Sequence, residues 1–323
     1  TTLKEKKDFT ELASAYCDKA LSENIQHAEI FFDPQTHTAR GLDFDDVVDG
    51  IQEGLEKGRV KGLSIQLICS FLRDHTVGSE EKEDTDSTDP SAWHTVKQAV
   101  KYNQNNTTTK PSFVIVGMGL DNNEVGYPPK LFKEVFEYGR LNGMFGVAHG
   151  GEEGPPEYIW ECTKQLECIR IDHGVRTIED PLLTAYMSTP QNTNEIINHF
   201  GSSHLIPITV CPLSNYKLDV FTDPEMTNIV EMLDLGIMVT VNSDDPAYFG
   251  GYVTDNYKFL MTSLDNKVAK GRAIDLSDIR RIVINGFYAS VIPLEKKLAY
   301  IETVNSYFLV TPGDLYTDFV SNY

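Results

Sequence analysis

The chain has 323 residues, 41% hydrophobic and 24% charged, which allows one large barrel or two ordinary domains with a sizeable core. Its formal net charge of -20 argues against nucleic acid or an anionic membrane as a partner, and no apolar run is long enough to span a bilayer. The five cysteines are odd in number and include no Cys-x-x-Cys, which argues against a disulfide framework or a cysteine-based zinc finger.

Residues 1–8 are charged and polar, with no secretory signal, so a cytoplasmic location is expected and a nuclear one stays open. Asp8 reads as a helix N-cap with Glu11 returning a hydrogen bond. Phe9, Leu12, Ala13, Tyr16 and Ala20 then form one helical face. A strand follows at residues 28–32. Phe44, Val47, Val48, Ile51 and Leu55 give the next helical stripe, closed near Gly58. Residues 63–70 and 113–116 are the second and third strands, and a helix lies near residues 129–138. Strand four spans residues 145–148, strand five 169–172 and strand six 206–210. Asp223-Pro224 starts a helix with Met226, Ile229, Val230 and Leu233 inward and Gly236 as its stop. Strand seven is residues 237–241, and helices fill residues 275–290. Residues 77–90, acidic and Ser/Thr-rich, and the polar run 103–110 read as surface insertions. No composition shift marks a boundary, so residues 1–323 are expected to form a single domain.

Seven apolar strands alternating with helices imply a parallel sheet. An open doubly wound sheet is one solution. A closed barrel of eight is the preferred one, because polar residues gather at nearly every strand's C-terminal end, the face where barrel active sites lie. The strand count is one short: either a strand is hidden, or the chain starts after the first.

Three strand ends carry chemistry. Val147-Ala148-His149-Gly150-Gly151-Glu152-Glu153-Gly154 places a histidine, two glycines and two carboxylates beyond a buried strand. Ile169-Arg170-Ile171-Asp172-His173-Gly174 ends on a histidine. Val239-Thr240-Val241-Asn242-Ser243-Asp244-Asp245-Pro246 ends on paired aspartates. A histidine three residues before a glutamate puts a metal ligand beside a proton carrier, so the set points to a metal-assisted hydrolase. The bland rivals are a structural histidine at 149 or 173, a helix N-cap at 244–245, and turn formers at Ser214 and Asn215. A catalytic zinc takes at least three protein ligands plus water. His149 and Asp244 supply two, His173 is a candidate third, and no His-x-His occurs. His27-Ala28-Glu29 matches half of the cytidine-type zinc deaminase signature, but the cysteine half is absent and Glu29 sits inside an apolar strand, so the match is chance or a polar residue of a barrel interior.

These segments, with Cys211-Pro212-Leu213-Ser214-Asn215, residues 27–37 and Asn242 to Tyr252, resemble the adenosine/adenine deaminase family of metal-dependent amidohydrolases in order and spacing over most of the chain. Their forms Glu-Glu-Gly-Pro and Ala-Tyr-Phe-Gly-Gly-Tyr look most like the adenine branch. The resemblance implies a (β/α)8 TIM-type barrel, here lacking the first strand, and one zinc ion per subunit. It makes His149 and Asp244 metal ligands, Glu152 the proton shuttle to the purine ring, His173 a group acting on the attacking water, and Asp245 a purine-binding residue. The family's His-x-His pair has no counterpart, and Gly150 stands where the family usually has Ala.

The implied reaction is zinc-dependent hydrolytic deamination of adenine, a small-molecule substrate, to hypoxanthine and ammonia in purine salvage. Adenosine deamination, or a non-catalytic purine-binding relative if the chain is complete as given, is the alternative. The chain alone is expected to bind zinc weakly and to turn over poorly.

Overall fold

The computed structural model describes residues 2–81, 88–221, 227–264 and 272–308. They fall into two compact units: Thr1–His149 with Glu161–Cys168, and Gly150–Trp160 with Ile169–Tyr323.

In the first unit four parallel strands run in chain order: β1 (His27–Phe32), β2 (Ser64–Leu72), β3 (Ile115–Asp121) and β4 (Phe145–Gly150). Helices Lys6–Ser22, Phe44–Val60, Ala92–Asn106 and Lys133–Leu141 alternate with them. Parallel strands flanked by helices are buried on both faces, and β2 accordingly carries the apolar run Leu67, Ile68, Cys69, Phe71, all fully buried.

The first helix starts earlier than the sequence suggests. Glu5 is its N-cap, and Asp8 is the return partner of the capping box, accepting the N–H groups of Lys4 (2.7 Å) and Glu5 (3.1 Å). Glu11 instead pairs with Lys7 at 3.5 Å. This helix lies on Phe44–Val60, which Asp43 caps, and three glycines four residues apart let the two backbones approach. A Cβ on Gly50, Gly54 or Gly58 would come within 2.5–2.6 Å of Lys6 O, Ala13 Cβ or Cys17 Sγ.

Strand β3 also departs from expectation. Phe113 sits in a short 3-10 turn, and the strand runs on from Ile115 through Gly117, Met118 and Gly119 to Asp121. The two glycines break the apolar pattern because their neighbours leave no room for side chains. A Cβ at Gly117 would be 2.5 Å from the Phe145 ring, and one at Gly119 would be 2.1 Å from Ser70 Oγ. The helix after Ser91 continues through Asn106, so half of the polar run 103–110 is helical, with Asn103 bonded to both the N–H and the C=O of Ile115.

In the second unit β5 (Arg170–His173), β6 (Ile208–Val210) and β7 (Val239–Val241) are parallel, again in chain order. Helices Pro156–Lys164, Pro181–Met187, Asn194–Phe200, Ile229–Asp234, Val253–Leu264 and Leu276–Ala289 accompany the strands in sequence. Helix Leu276–Ala289 begins on Asp275, whose carboxylate accepts the N–H groups of Ser277 (2.7 Å) and Asp278 (2.9 Å). Gly236, with φ 84°, follows Ile229–Asp234 as expected. Asp223, Pro224 and Met226 lie outside the described residues.

The described residues form the α/β alternation of seven parallel strands read from the sequence. All five cysteines are buried free thiols, and no described helix is long and apolar enough to cross a membrane.

Candidate active site

His149 is the penultimate residue of β4 and belongs to the first unit. Its carbonyl is gripped by Arg73 Nη1 (3.0 Å) and approached by Cys162 Sγ (3.7 Å). Arg73 is fully buried, donates also to the Tyr127 carbonyl (3.1 Å), and faces the equally buried Glu124 at 3.9 Å. The His149 ring lies 6.4 Å from that of Phe31. Two acids share this strand-end region of the first unit. Asp33, just past β1, is hydrogen-bonded to Asp121, the last residue of β3, and burial pushes the Asp33 carboxyl above the ordinary range. His27 and Glu29 pair with each other at 3.1 Å, both side chains buried, and His27 Nδ1 lies 2.9 Å from Ser64 Oγ.

The next residues belong to the second unit. Gly151 takes φ 71°, where a Cβ would also meet Ile159 at 2.5 Å, so only glycine lets the chain turn from the strand into Glu152. Backbone bonds from Gly174 N to Gly150 O (3.2 Å) and from Arg176 N to Gly151 O (3.0 Å) fasten this turn to the end of β5. Arg176 adds side-chain bonds to the carbonyls of Glu153 (3.1 Å) and Gly154 (3.2 Å).

Glu152, His173 and Asp244 then meet. Glu152 is 8% exposed and His173 1%. His173 Nδ1 lies 3.2 Å from Glu152 Oε1, and His173 Nε2 lies 3.8 Å from Asp244 Oδ2. His173 (φ 62°) and Asp244 (φ 55°) both have left-handed backbone, a conformation that costs non-glycine residues energy and clusters at functional sites. At each of these two strand ends it accompanies an abrupt turn of the chain. Asp245 occupies the N-cap position of the short helix Pro246–Phe249, but its side chain makes no cap bond, and the residue is exposed. The N-cap reading of this pair therefore fails for the side chain.

One residue of this cluster carries more than its sequence context suggested. Asn215, fully buried, donates from Nδ2 to Glu152 Oε1 (2.6 Å) and has the same nitrogen 3.2 Å from His173 Nδ1. Its Oδ1 accepts the backbone N–H of Cys211 (3.3 Å), which fixes the amide so that its nitrogen must face the other two. The signal in the sequence was the four-residue step from Cys211 to Asn215 across a helix start at Pro212, which folds the Asn side chain back onto the Cys211 amide. Read as a turn former, Asn215 was missed.

Cys211 lies among these groups. Burial, reinforced by the charges of Asp244, Glu152, Asp172 and Asp245, pushes its thiol well up, and its Sγ donates to Thr209 O at 3.4 Å. Ligand atoms of His173, Cys211 and Asp244 all lie within 4.8 Å of one another. Asp172, buried beside His173, is held above the usual carboxylate range by desolvation and accepts the Thr209 hydroxyl at 3.0 Å.

Of the five residues singled out in the sequence, the second unit holds Glu152, His173, Asp244 and Asp245 and brings the first three within hydrogen-bond or ion-pair reach. His149 stands at the end of the first unit, three residues before Glu152 in the chain.

A family model described as adenosine deaminase matches residues 1–307. This chain belongs to that family. Among curated relatives, an adenine deaminase of Stutzerimonas stutzeri is 44% identical over 273 residues, covering 84% of this chain and 75% of its own length. One of Crocosphaera subtropica is 42% identical over 297 residues, covering 91% and 78%. Among solved structures, an adenine deaminase from Arthrobacter aurescens superposes with a TM-score of 0.76 at 31% identity, covering 95% of this chain and 81% of that one. A Zn-bound amidohydrolase from Burkhoderia ambifaria gives 0.73 at 23% identity, covering 95% and 74%, and shows likeness of fold. The α/β barrel of the TIM type expected from the strand pattern is the fold class of this family.

Proposed function

We propose that this chain is the metal-dependent catalytic domain, residues 1–323, of an adenine aminohydrolase. Adenine and water give hypoxanthine and ammonia, a purine-salvage reaction in the cytoplasm on a small-molecule substrate. The observation that carries the reading is the Glu152–His173–Asp244 cluster ordered by Asn215, in a chain whose relatives include adenine deaminases at 42–44% identity.

We assign one zinc ion per subunit to His149 and Asp244. His149 supplies an imidazole and Asp244 a carboxylate, both ordinary zinc donors, and Asp244 presents its carboxylate beside a histidine ring nitrogen. Cys211, whose Sγ lies within 4.8 Å of ligand atoms of His173 and Asp244, is assigned to packing. A zinc ion held there supplies Lewis acidity that makes water nucleophilic near neutral pH.

The chain's own residues then divide the proton work. Asn215 holds Glu152 Oε1 as an acceptor, so the proton that Glu152 carries sits on Oε2, from which it passes to a ring nitrogen of the purine and makes the amine-bearing carbon electrophilic. His173 stands between the two carboxyl groups, with Nδ1 3.2 Å from Glu152 Oε1 and Nε2 3.8 Å from Asp244 Oδ2. His173 and Asp244 take the proton of the attacking water and aim its oxygen at that carbon. The released amine leaves as ammonia after protonation. Asp245, exposed at the mouth of β7, is assigned to hydrogen-bond the purine.

The test is ammonia release by the zinc-loaded full-length protein from adenine and from adenosine. Release from adenine at a kcat/KM well above that for adenosine is expected. Turnover of adenosine in preference, or binding of adenine with no ammonia, sinks the reading.

A further inference from the structure

Helix Pro212–Lys217 carries Asn215, yet little in its own sequence holds it in place. It has six residues, and helices this short are marginal by themselves in water. Its N-cap, Cys211, supplies no side-chain bond, so the first backbone N–H groups must find partners elsewhere. Pro212 has no N–H. The N–H of Leu213 goes to Asn256 Oδ1 at 3.0 Å, across 43 residues of sequence.

Asn256 is fully buried and lies in the first turns of helix Val253–Leu264. Its Nδ2 donates to the carbonyl of Tyr252, four residues back (3.0 Å). A donor on one side and an acceptor on the other fix which way the amide points. Two further contacts seat the same pair of helices. A Cβ on Gly251 would stand 2.4 Å from Leu213 Cδ1, so the chain entering Val253–Leu264 passes directly against Leu213. Three residues on from Leu213 and from Asn256, the rings of Tyr216 and Phe259 lie 5.6 Å apart. Between these contacts sits Asn215, with Oδ1 on the Cys211 N–H (3.3 Å) and Nδ2 on Glu152 (2.6 Å) and beside His173 (3.2 Å). All of these residues belong to the second unit. The helix that bears Asn215 is thus held by the segment that follows Asp244 and Asp245 in the chain.

We propose that Asn256 is a positioning residue for the deamination: by holding the Leu213 N–H it sets the helix start from which Asn215 reaches Glu152 and His173. Its own hydrogen bonds go to main chain, so it acts through Asn215 and does not touch the reacting atoms. The proposal rests on the deaminase reading above and adds a residue to it.

Two variants separate the two bonds. Asn256→Ser leaves a hydroxyl able to bond the carbonyl four residues back but too short to reach Leu213. Asn256→Asp keeps an acceptor for the Leu213 N–H. In the zinc-loaded full-length protein, Asn256→Ser is expected to lower kcat for adenine about three- to tenfold, the worth of one buried hydrogen bond. KM should stay within about twofold, as for an interaction that serves the transition state. Asn256→Asp is expected to retain most of the rate. In an Asn215→Ala background, Asn256→Ser should cost less than about twofold more, because effects that run through one residue do not add. Equal losses in both backgrounds overturn the proposal, as does a rate for folded Asn256→Asp as low as that of Asn256→Ser. If Asn256→Ser does not fold, Asn256→Leu, which keeps the volume, takes its place in the cycle. A second readout needs no turnover. The side-chain amide signals of Asn215 in 15N NMR, identified by their loss in Asn215→Ala, should move in Asn256→Ser and stay in Asn256→Asp. Unmoved signals in Asn256→Ser overturn the proposal even where the rate falls. If the unmodified protein releases no ammonia, the deaminase reading has failed, while the amide signals still report whether Asn256 sets Asn215.

Discussion

Arg73 in the first unit and His173 in the second are both ionisable side chains buried at a strand end, and their hydrogen bonds go to opposite kinds of partner. Arg73 reaches backbone carbonyls, those of Tyr127 and His149, with Glu124 opposite. His173 is ringed by side chains that can themselves gain or lose protons or that hold such groups in place: Glu152, Asp244 and Asn215. A buried charge bound to main chain fixes where the chain goes. A buried group bound to other titratable groups can pass a proton on. Burial alone does not separate the two cases, since both are 1% exposed.

The sharpest way to break this comparison is Glu152→Gln. The change keeps shape and removes the proton, so kcat for adenine is expected to fall about 10²- to 10⁴-fold. Zinc content by elemental analysis and melting temperature should stay as in the unmodified protein. Normal turnover removes Glu152 from the chemistry. Arg73→Met is the converse. Removing one partner of a buried pair costs about 3–5 kcal/mol, read from urea denaturation. The pH profile of the remaining activity should not move, and a shifted profile would place Arg73 in the proton chemistry.

Asn215→Ala should have a smaller effect on rate, about tenfold or somewhat more, from the loss of one buried charged hydrogen bond of about 1.5–3 kcal/mol. Its diagnostic is a pH shift. The amide N–H stabilises the ionised form of Glu152, so its loss raises the carboxyl's proton affinity. The alkaline limb of the rate profile, where the proton-donating form disappears, moves to higher pH. A lower rate with an unmoved limb would reduce Asn215 to packing.

The smallest effect sets one histidine from each unit side by side. Burial lowers His37, near Arg40, and His204, beside Leu205 O and stacked on Phe200, to about 4 from 6.5. Above pH 6.5 both folded and unfolded states hold these rings neutral, so stability does not respond. As pH falls from 6.5 towards 4 the unfolded chain binds protons that the folded rings refuse, and stability is lost across that window. For the well-buried His204 the ceiling is about 1.4 kcal/mol per pH unit. Denaturation at pH 7 and pH 5, compared between the unmodified protein and His204→Gln, should show a shallower loss in the variant. Equal slopes would mean His204 is protonated in the fold.

What could be read beforehand follows from range. The meeting of Glu152, His173 and Asp244 was legible because each sits within a few residues of an apolar strand end, and a barrel-like alternation makes strand ends chemical. Strand β3 was cut short because Gly117 and Gly119 look like a break in the sequence, and only the Phe145 ring and Ser70 Oγ show why they are there. The capping of the first helix was misplaced by three residues because Glu5 and Asp8 can each be read as the cap, and the reciprocal bond decides between them. The Asp33–Asp121 bond joins residues 88 positions apart, and the Asn215–Glu152 bond spans 63. Pairings at such separation leave no periodic trace. Arg73 was invisible for the same reason.

The glycine row of helix Phe44–Val60 has a consequence for how this protein can change. A step of four residues advances about 400° around a helix, so Gly50, Gly54 and Gly58 trace a nearly straight furrow, and the helix Lys6–Ser22 rests in it. On the opposite side of Phe44–Val60 the exposed Asp45 and the half-buried Glu56 can be exchanged without touching that seat, whereas Val48 and Gln52 are themselves fully buried. A single inserted residue between Gly50 and Gly54 would swing Gly54 and Gly58 by about 100° and turn side chains into the furrow. Among related sequences this segment should therefore vary in letters and hold its length.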